Sequence, residues 1–185
     1  MIGIVLLVII VVIGFMAVGA YNRLVGLRQS ANQAFADIDV QLKQRQDLVP
    51  NLVETVKGYA AHEAGTLEAV TAARAAAASA SNVNDRVQAE NALSGALRQL
   101  FAVAESYPDL KANQNFLQLQ AELTDIENKL AAARRFFNNA VAEYNASIQQ
   151  FPAVLFAAAM GFPPRAFFDL GENRAAAETA PQVKF

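Results

Sequence analysis

From Met1 to Asn22 the chain reads MIGIVLLVIIVVIGFMAVGAYN, with no charged side chain anywhere in the run. No other feature limits the possible folds so strongly. Crossing a hydrocarbon layer about 30 Å thick takes roughly 20 apolar residues in a helix, and this run has that length. The rival reading is a secretory signal peptide, with AVGA at 17–20 as its cleavage site. Such a peptide opens with basic residues and has an apolar run of about 7–15 residues. Neither condition holds, so residues 1–22 are read as an uncleaved transmembrane anchor. Arg23 and Arg28 follow the span before any acidic residue, and nothing basic precedes it. The positive-inside rule then puts the N-terminus outside and the body in the cytoplasm.

Beyond the anchor, apolar residues keep to helical spacing. Phe116, Leu123, Leu130, Phe137, Tyr144 and Phe151 recur every seven residues, with Leu119, Ile126, Ala133, Ala140 and Ser147 between them. Alternating steps of three and four make one continuous, coiled-coil-like seam. YPDL at 107–110 is expected to start this helix, with Pro108 at its first position and Asp109 against its positive end. Phe151-Pro152 ends it. Leu27, Ala31, Ile38, Leu42, Val49, Leu52, Val56 and Tyr59 form a similar stripe, broken by polar residues around Arg45. No turn signal separates this stripe from the anchor, which predicts one rod leaving the membrane and entering the body. Pro50 should kink that rod, and Gly65 should mark its reversal.

The middle stretch is alanine-rich at 71–80, and a helical stripe resumes at Val87, Leu93, Leu97, Leu100 and Ala104. SNVND at 81–85 reads as a short break whose Asn84 or Asp85 caps the next helix. The expected fold class is therefore all-α. The transmembrane helix continues into an elongated up-down antiparallel bundle of three long rods, the middle one broken. Each rod of roughly 40 residues would be about 60 Å long. The domain plan is an anchor at 1–22, a helical bundle at 23–150, an apolar packing or oligomer segment at 151–170 and a mobile tail at 171–185.

Composition narrows the chemistry. There is no cysteine and a single histidine, His62. Thiolate sites and disulfides are thus excluded, and most zinc, di-iron and Ser-His-Asp centres are hard to build. His62-Glu63 begins an H-E-x-x-H pattern, but Ala64, Gly65 and Thr66 follow, so the pattern fails. Glu122, Asp125 and Glu127 are read as surface carboxylates rather than metal ligands, and no cofactor is expected. A net charge of −2 gives no broad basic field for nucleic acid. No phosphate loop or nucleophile elbow occurs.

Asp37, Asp39, Lys43, Arg45 and Asp47 could form a catalytic cluster, yet ion pairs at helical spacing account for them more simply. Asp39 can reach Lys43 four residues on. If Asp39 or Arg45 is partly buried, Arg134 or Glu122 on the last helix is the expected partner, setting register. The chain is read as a non-enzyme.

The segment YNRLVGLRQSANQAFADIDVQLKQRQDLVPNLVETVKGYAAHE at 21–63 is very similar to the signature block of the LemA family of bacterial membrane proteins. YPDLKANQNFLQLQAEL at 107–123 and YNASIQQFPAVLFAAAMGF at 144–162 resemble the family's other two blocks, in the same order. The likeness runs from about Met1 to Leu170. It implies a single N-terminal span in the bacterial inner membrane, followed by a helical bundle of undefined activity. Because the family includes a magnetosome-associated relative, it also implies a part in organising or shaping membrane. The frequent neighbourhood of LemA-type and membrane-protease genes implies a second possibility, a regulator of such an enzyme. Asp37, Asp39, Arg45, Asp47, Pro50, Asn51 and Glu54 match the family block and are expected to serve structure or docking, with no catalytic role to carry over. Phe35 stands where many members have tryptophan.

The segment FPAVLFAAAMGFPPRAFFDL at 151–170 is too apolar for a free tail. Phe151, Val154, Leu155, Phe156, Met160, Phe162, Phe167 and Phe168 need cover, from the bundle base, a neighbouring protomer or lipid. The protomer contact is preferred, because a bundle tip offers little area. The expected function is a membrane-anchored, self-associating helical scaffold, with membrane lipid and further copies of itself as partners. A membrane protease is the alternative partner.

Overall fold

The structure, a computed structural model, describes residues 1–60, 62–81 and 83–168. Among them every regular element is helical: α1 (Ile2–Lys57), α2 (Ala64–Ser79), α3 (Val83–Ala104), α4 (Pro108–Lys111), α5 (Gln114–Gln149) and a 3-10 turn at Ala153–Leu155. The all-α class expected from the apolar spacing is thus observed. The 56-residue α1 passes without a break from the apolar run into the charged segment. Its basic last turn, Lys57, suits the negative helix end. Pro50 lies inside α1, which continues through it to Lys57, and its side chain faces solvent. Among the described residues one helix, α1, is long and apolar enough to cross a membrane, and that part of it has no protein cover.

The chain divides into two compact units, each with its own core. The first comprises Met1–Ile38 and Ala132–Phe167. Leu24 of α1 meets Tyr144 and Ile148 of α5 there, and Ala153, Ala157 and Phe162 of the following segment close over them. Phe35 also stacks on Phe137 at 5.6 Å between ring centres. Polar bonds hold the returning chain. The Tyr144 hydroxyl donates to the Pro163 carbonyl at 2.9 Å. Asn145 donates to the Arg165 carbonyl and accepts from the Arg165 amide, both at 2.9 Å. Burial pushes the Tyr144 hydroxyl above its ordinary pKa, while Arg165 and Arg28 pull it the other way. Gly161 takes a φ of +75°, a left-handed turn residue that any Cβ would strain.

The second unit comprises Asp39–Ala131 and, among the described residues, Phe168. Val49, Leu52 and Val56 of α1, Leu67 and Val70 of α2, Leu93, Leu97 and Leu100 of α3, and Phe116 and Leu123 of α5 share one core. Cross-helix bonds fix the directions. Gln46 meets Arg74, and a groove pairs Val53 to Lys57 with Ala64 to Leu67, so α2 runs back along α1. Asp39 meets Arg86, Arg45 meets Glu90, and Tyr107 just beyond α3 meets Glu63, so α3 runs with α1. Tyr59 meets Asn113 and Arg45 meets Glu127, so α5 runs against it.

This refines the expected rods. The middle arm is not one rod broken in line; α2 and α3 fold into a hairpin, so four helices alternate in direction within this unit. The break after α2 starts with Ala80 in an extended conformation, φ −65° and ψ 121°, which turns the chain out of the helix. Because α3 begins at Val83, Asn84 and Asp85 lie in its first turn rather than at its cap. The reversal falls between the end of α1 at Lys57 and the start of α2 at Ala64, and Gly65 is already helical. Pro108 does open a helix, but only the single turn α4. The long helix α5 starts afresh at Gln114, where Asn113 caps it by accepting the Phe116 amide at 3.0 Å. The seam on α5 is buried at Phe116, Leu123, Leu130, Phe137 and Tyr144; Phe151 lies past the helix end and is exposed. Residues 169–185, including the expected tail, lie outside the described residues.

Candidate functional site

Arg45 occupies an apolar-spaced slot on α1, three residues after Leu42 and four before Val49, and the fold buries it with 1% of its surface exposed. A buried guanidinium demands acceptors, since an uncompensated charge in the interior costs several kcal/mol. Neighbouring helices supply them. Glu90 of α3, fully buried, forms an ion pair with Arg45 and also offers its carbonyl at 3.3 Å. Arg45 Nη1 donates to Ser94 Oγ and to Glu127 Oε2 of α5, both at 2.8 Å. Only Arg45 Nε lacks an acceptor. Glu90 accepts a further bond from Gln46 Nε2 at 2.8 Å, and the Gln46 carbonyl accepts from Arg74 Nε of α2 at 2.7 Å. One polar cluster therefore ties together all four long helices of this unit.

The other charged positions divide by exposure. Asp39, half-buried, pairs with Arg86 of α3 rather than with Lys43. Lys43 instead pairs with Asp47 at i+4, on the surface. Asp37 is exposed. Asn51 is exposed, and its carbonyl accepts the Thr55 hydroxyl at 2.8 Å. Exposed Glu54 lines a groove of about 650 Å³ with Val53, Lys57, Leu67, Glu68 and Thr71. Arg134 or Glu122 is the partner expected of a partly buried Asp39 or Arg45; Arg45 pairs instead with Glu90 and Glu127, and Asp39 with Arg86. Glu122 accepts from Gln118, and Asp125 pairs with Lys129, along α5 itself. Sequence reasoning passed over Glu90, although it too holds a stripe slot between Val87 and Leu93. Two opposite charges in seam slots were the available signal.

Chemically the cluster is a closed one. Its cation is engaged by two carboxylates and a hydroxyl, and its central carboxylate is sealed from solvent. Among the described residues no group of three or more His, Cys, Asp or Glu side chains is placed to hold a metal. His62 is exposed in the turn after α1. Near it, Tyr107 donates to Glu63 at 3.1 Å, and this bond to a carboxylate raises the pKa of the hydroxyl.

The apolar segment of the first unit divides between two faces. Phe162 is buried against Tyr21, edge to face at 5.5 Å, with the Arg28 guanidinium 4.9 Å from its ring centre. Phe156 is half-buried and Phe168 buried. Phe151, Val154, Leu155, Met160 and Phe167 remain exposed. Phe162 is therefore an internal packing residue of this unit, Phe156 is partly covered, and the five exposed residues form the available surface, while buried Phe168 belongs to the second unit.

A sequence model of the LemA family matches residues 34–185. The chain belongs to the LemA family. Among relatives, Magnetosome protein MamQ of Magnetospirillum gryphiswaldense is 22% identical over 174 residues, covering 80% of this chain and 64% of its own length. Protein LemA of Metamycoplasma hominis is 29% identical over 142 residues, covering 74% of this chain and 63% of its own. Magnetosome protein MamQ 2 of Paramagnetospirillum magneticum is 29% identical over 80 residues, 43% of this chain and 29% of that protein. The chain thus spans less than two thirds of the length of these relatives. Family membership and the long apolar helix together mark a membrane-associated LemA-like protein.

Proposed function

We propose that this LemA-family chain is a non-enzymatic, membrane-anchored helical scaffold that self-associates laterally and organises or shapes a bacterial inner membrane. Its N-terminus would lie outside and its helical body in the cytoplasm. The observation that supports this reading is the Arg45 cluster. The motif block looks most like chemistry in the sequence, yet its one buried cation is spent on binding helices to each other. A span confines copies to two dimensions, which raises their effective concentration without any new contact. Kinship with proteins named for the magnetosome supports the same direction.

The test is single-molecule photobleaching of labelled full-length protein in supported bilayers over a range of surface densities. Multi-step bleaching that grows with density is expected; single steps at every density would refute self-association. A second reading, an adaptor for a membrane protease, draws on the groove lined by Val53, Glu54, Lys57 and Leu67, which leaves an accessible surface on the motif block. A photocrosslinker at Glu54 would then capture a foreign membrane protein rather than a second copy.

A further inference from the structure

The outer face of residues 151–160 has the composition of a lipid-facing surface and lies against the end of the span. No charged residue occurs between Glu143 and Arg165. Within this stretch Ala153, Ala157 and Phe162 turn inward to Leu24, Tyr144 and Ile148. The opposite face carries Phe151 and Leu155, each 73% exposed, with Val154 and Met160 beside them. A helix-end cap in water would put polar side chains there.

Its position gives the occupant. Phe151, Pro152 and Ala153 line a hollow of about 260 Å³ together with Met16, Gly19 and Ala20, which belong to the uncharged run. A span of about 20 residues starting near Ile2 leaves the hydrocarbon close to Tyr21. The exposed apolar face is therefore continuous with the surface of the anchor at its exit from the bilayer.

Two further features match a lipid boundary. The backbone donor of Val154 is bonded to the Gln150 carbonyl, and those of Leu155 to Ala157 and of Met160 to Phe162 are bonded within the segment, which lowers the cost of entering a water-poor layer. In the same unit Arg23 and Arg28 follow the uncharged run directly and Arg165 reaches the Arg28 carbonyl at 3.2 Å, a group of cations that favours anionic headgroups.

We propose that residues 151–160 form an interfacial anchor. Phe151, Val154, Leu155 and Met160 enter the headgroup–acyl boundary of the leaflet from which α1 emerges, fixing α1 and α5 at that surface. The inference rests on the proposed anchor, and it assigns the exposed face to lipid rather than to a second copy.

The chain has no tryptophan, so single-tryptophan variants report cleanly. Full-length Leu155→Trp and, separately, Met160→Trp are reconstituted into phosphatidylcholine–phosphatidylglycerol vesicles with lipids brominated at chosen acyl depths. Val8→Trp reports on the span, and Leu117→Trp, exposed on α5, on the body. All four sites are exposed, so folding is retained. Blue-shifted emission at 155 and 160, quenched most by shallow bromines, with Val8→Trp quenched by deep ones and Leu117→Trp unquenched, is the expected result. If 155 and 160 stay red-shifted and unquenched while Val8→Trp is quenched, the interfacial anchor is wrong and the span stands. Blue-shifted but unquenched emission that reddens as protein is diluted in the bilayer overturns it in favour of a neighbouring copy. Loss of quenching at Val8 as well removes the anchor and this inference together.

Discussion

A guanidinium in a core is stable only while every charge around it is answered. Removing Arg45 leaves Glu90 buried and alone, and breaking a buried pair on one side costs about 3–5 kcal/mol. Arg45→Ala should therefore lower unfolding free energy by that order, read from urea titrations followed by circular dichroism in detergent. The double variant Arg45→Met, Glu90→Leu removes both charges and keeps the volume, so it should recover most of the loss. If the double variant is as unstable as the single one, the pair does more than satisfy itself.

Tyr144 gives a second residue-level expectation. Burial raises its pKa above the unfolded value of 10.0, so the folded state holds the phenolic proton more tightly. Its stabilisation is fully present below about pH 10 and is lost as pH rises through the higher folded value. Melting temperature should fall with rising pH in that alkaline range, and Tyr144→Phe should flatten the fall while losing the bond to Pro163.

At the scale of elements, the start of α5 depends on Asn113. Its side chain caps the helix through the Phe116 amide and donates to the Tyr59 hydroxyl at 2.9 Å. Asn113→Ala should cost about 1 kcal/mol, the usual value of such a cap, seen as a lower midpoint in thermal melts, whereas Asn113→Asp should retain much of the cap. This helix also shows what the sequence could and could not disclose. The steps of three and four from Phe116 to Tyr144 were legible because apolar burial alone sets them. The interruption at 112–113 was not, because it carries neither glycine nor proline and Pro108 offered a stronger start signal nearby. The hairpin of α2 and α3 was hidden for the same reason: SNVND marks a break but not the angle of the chain beyond it. The site was less legible than the fold. Arg45 and Glu90 each looked like a polar gap in a stripe, and only the packing of α1 beside α3 joins them.

Across the whole molecule, charge is unevenly spread. The unit that contains the apolar run carries its five arginines against two carboxylates, while Asp39–Ala131 has an acidic excess. Basic residues close to a span resist translocation, whereas acidic ones contribute little to orientation. Arg23 and Arg28 sit at the end of the uncharged run and should dominate the choice. Because the chain has no cysteine, orientation can be read by single introduced thiols. In intact cells, a membrane-impermeant maleimide should label a cysteine carried in a short polar N-terminal extension from outside but reach Ser30→Cys only after permeabilisation. Adding Arg23→Gln and Arg28→Gln should shift part of the population to the opposite labelling pattern, since the positive charge at the end of the run that sets the original one is then removed. Labelling of Ser30→Cys in intact cells without those changes would reverse the proposed orientation. Any scaffold would then work on the outer face of the membrane.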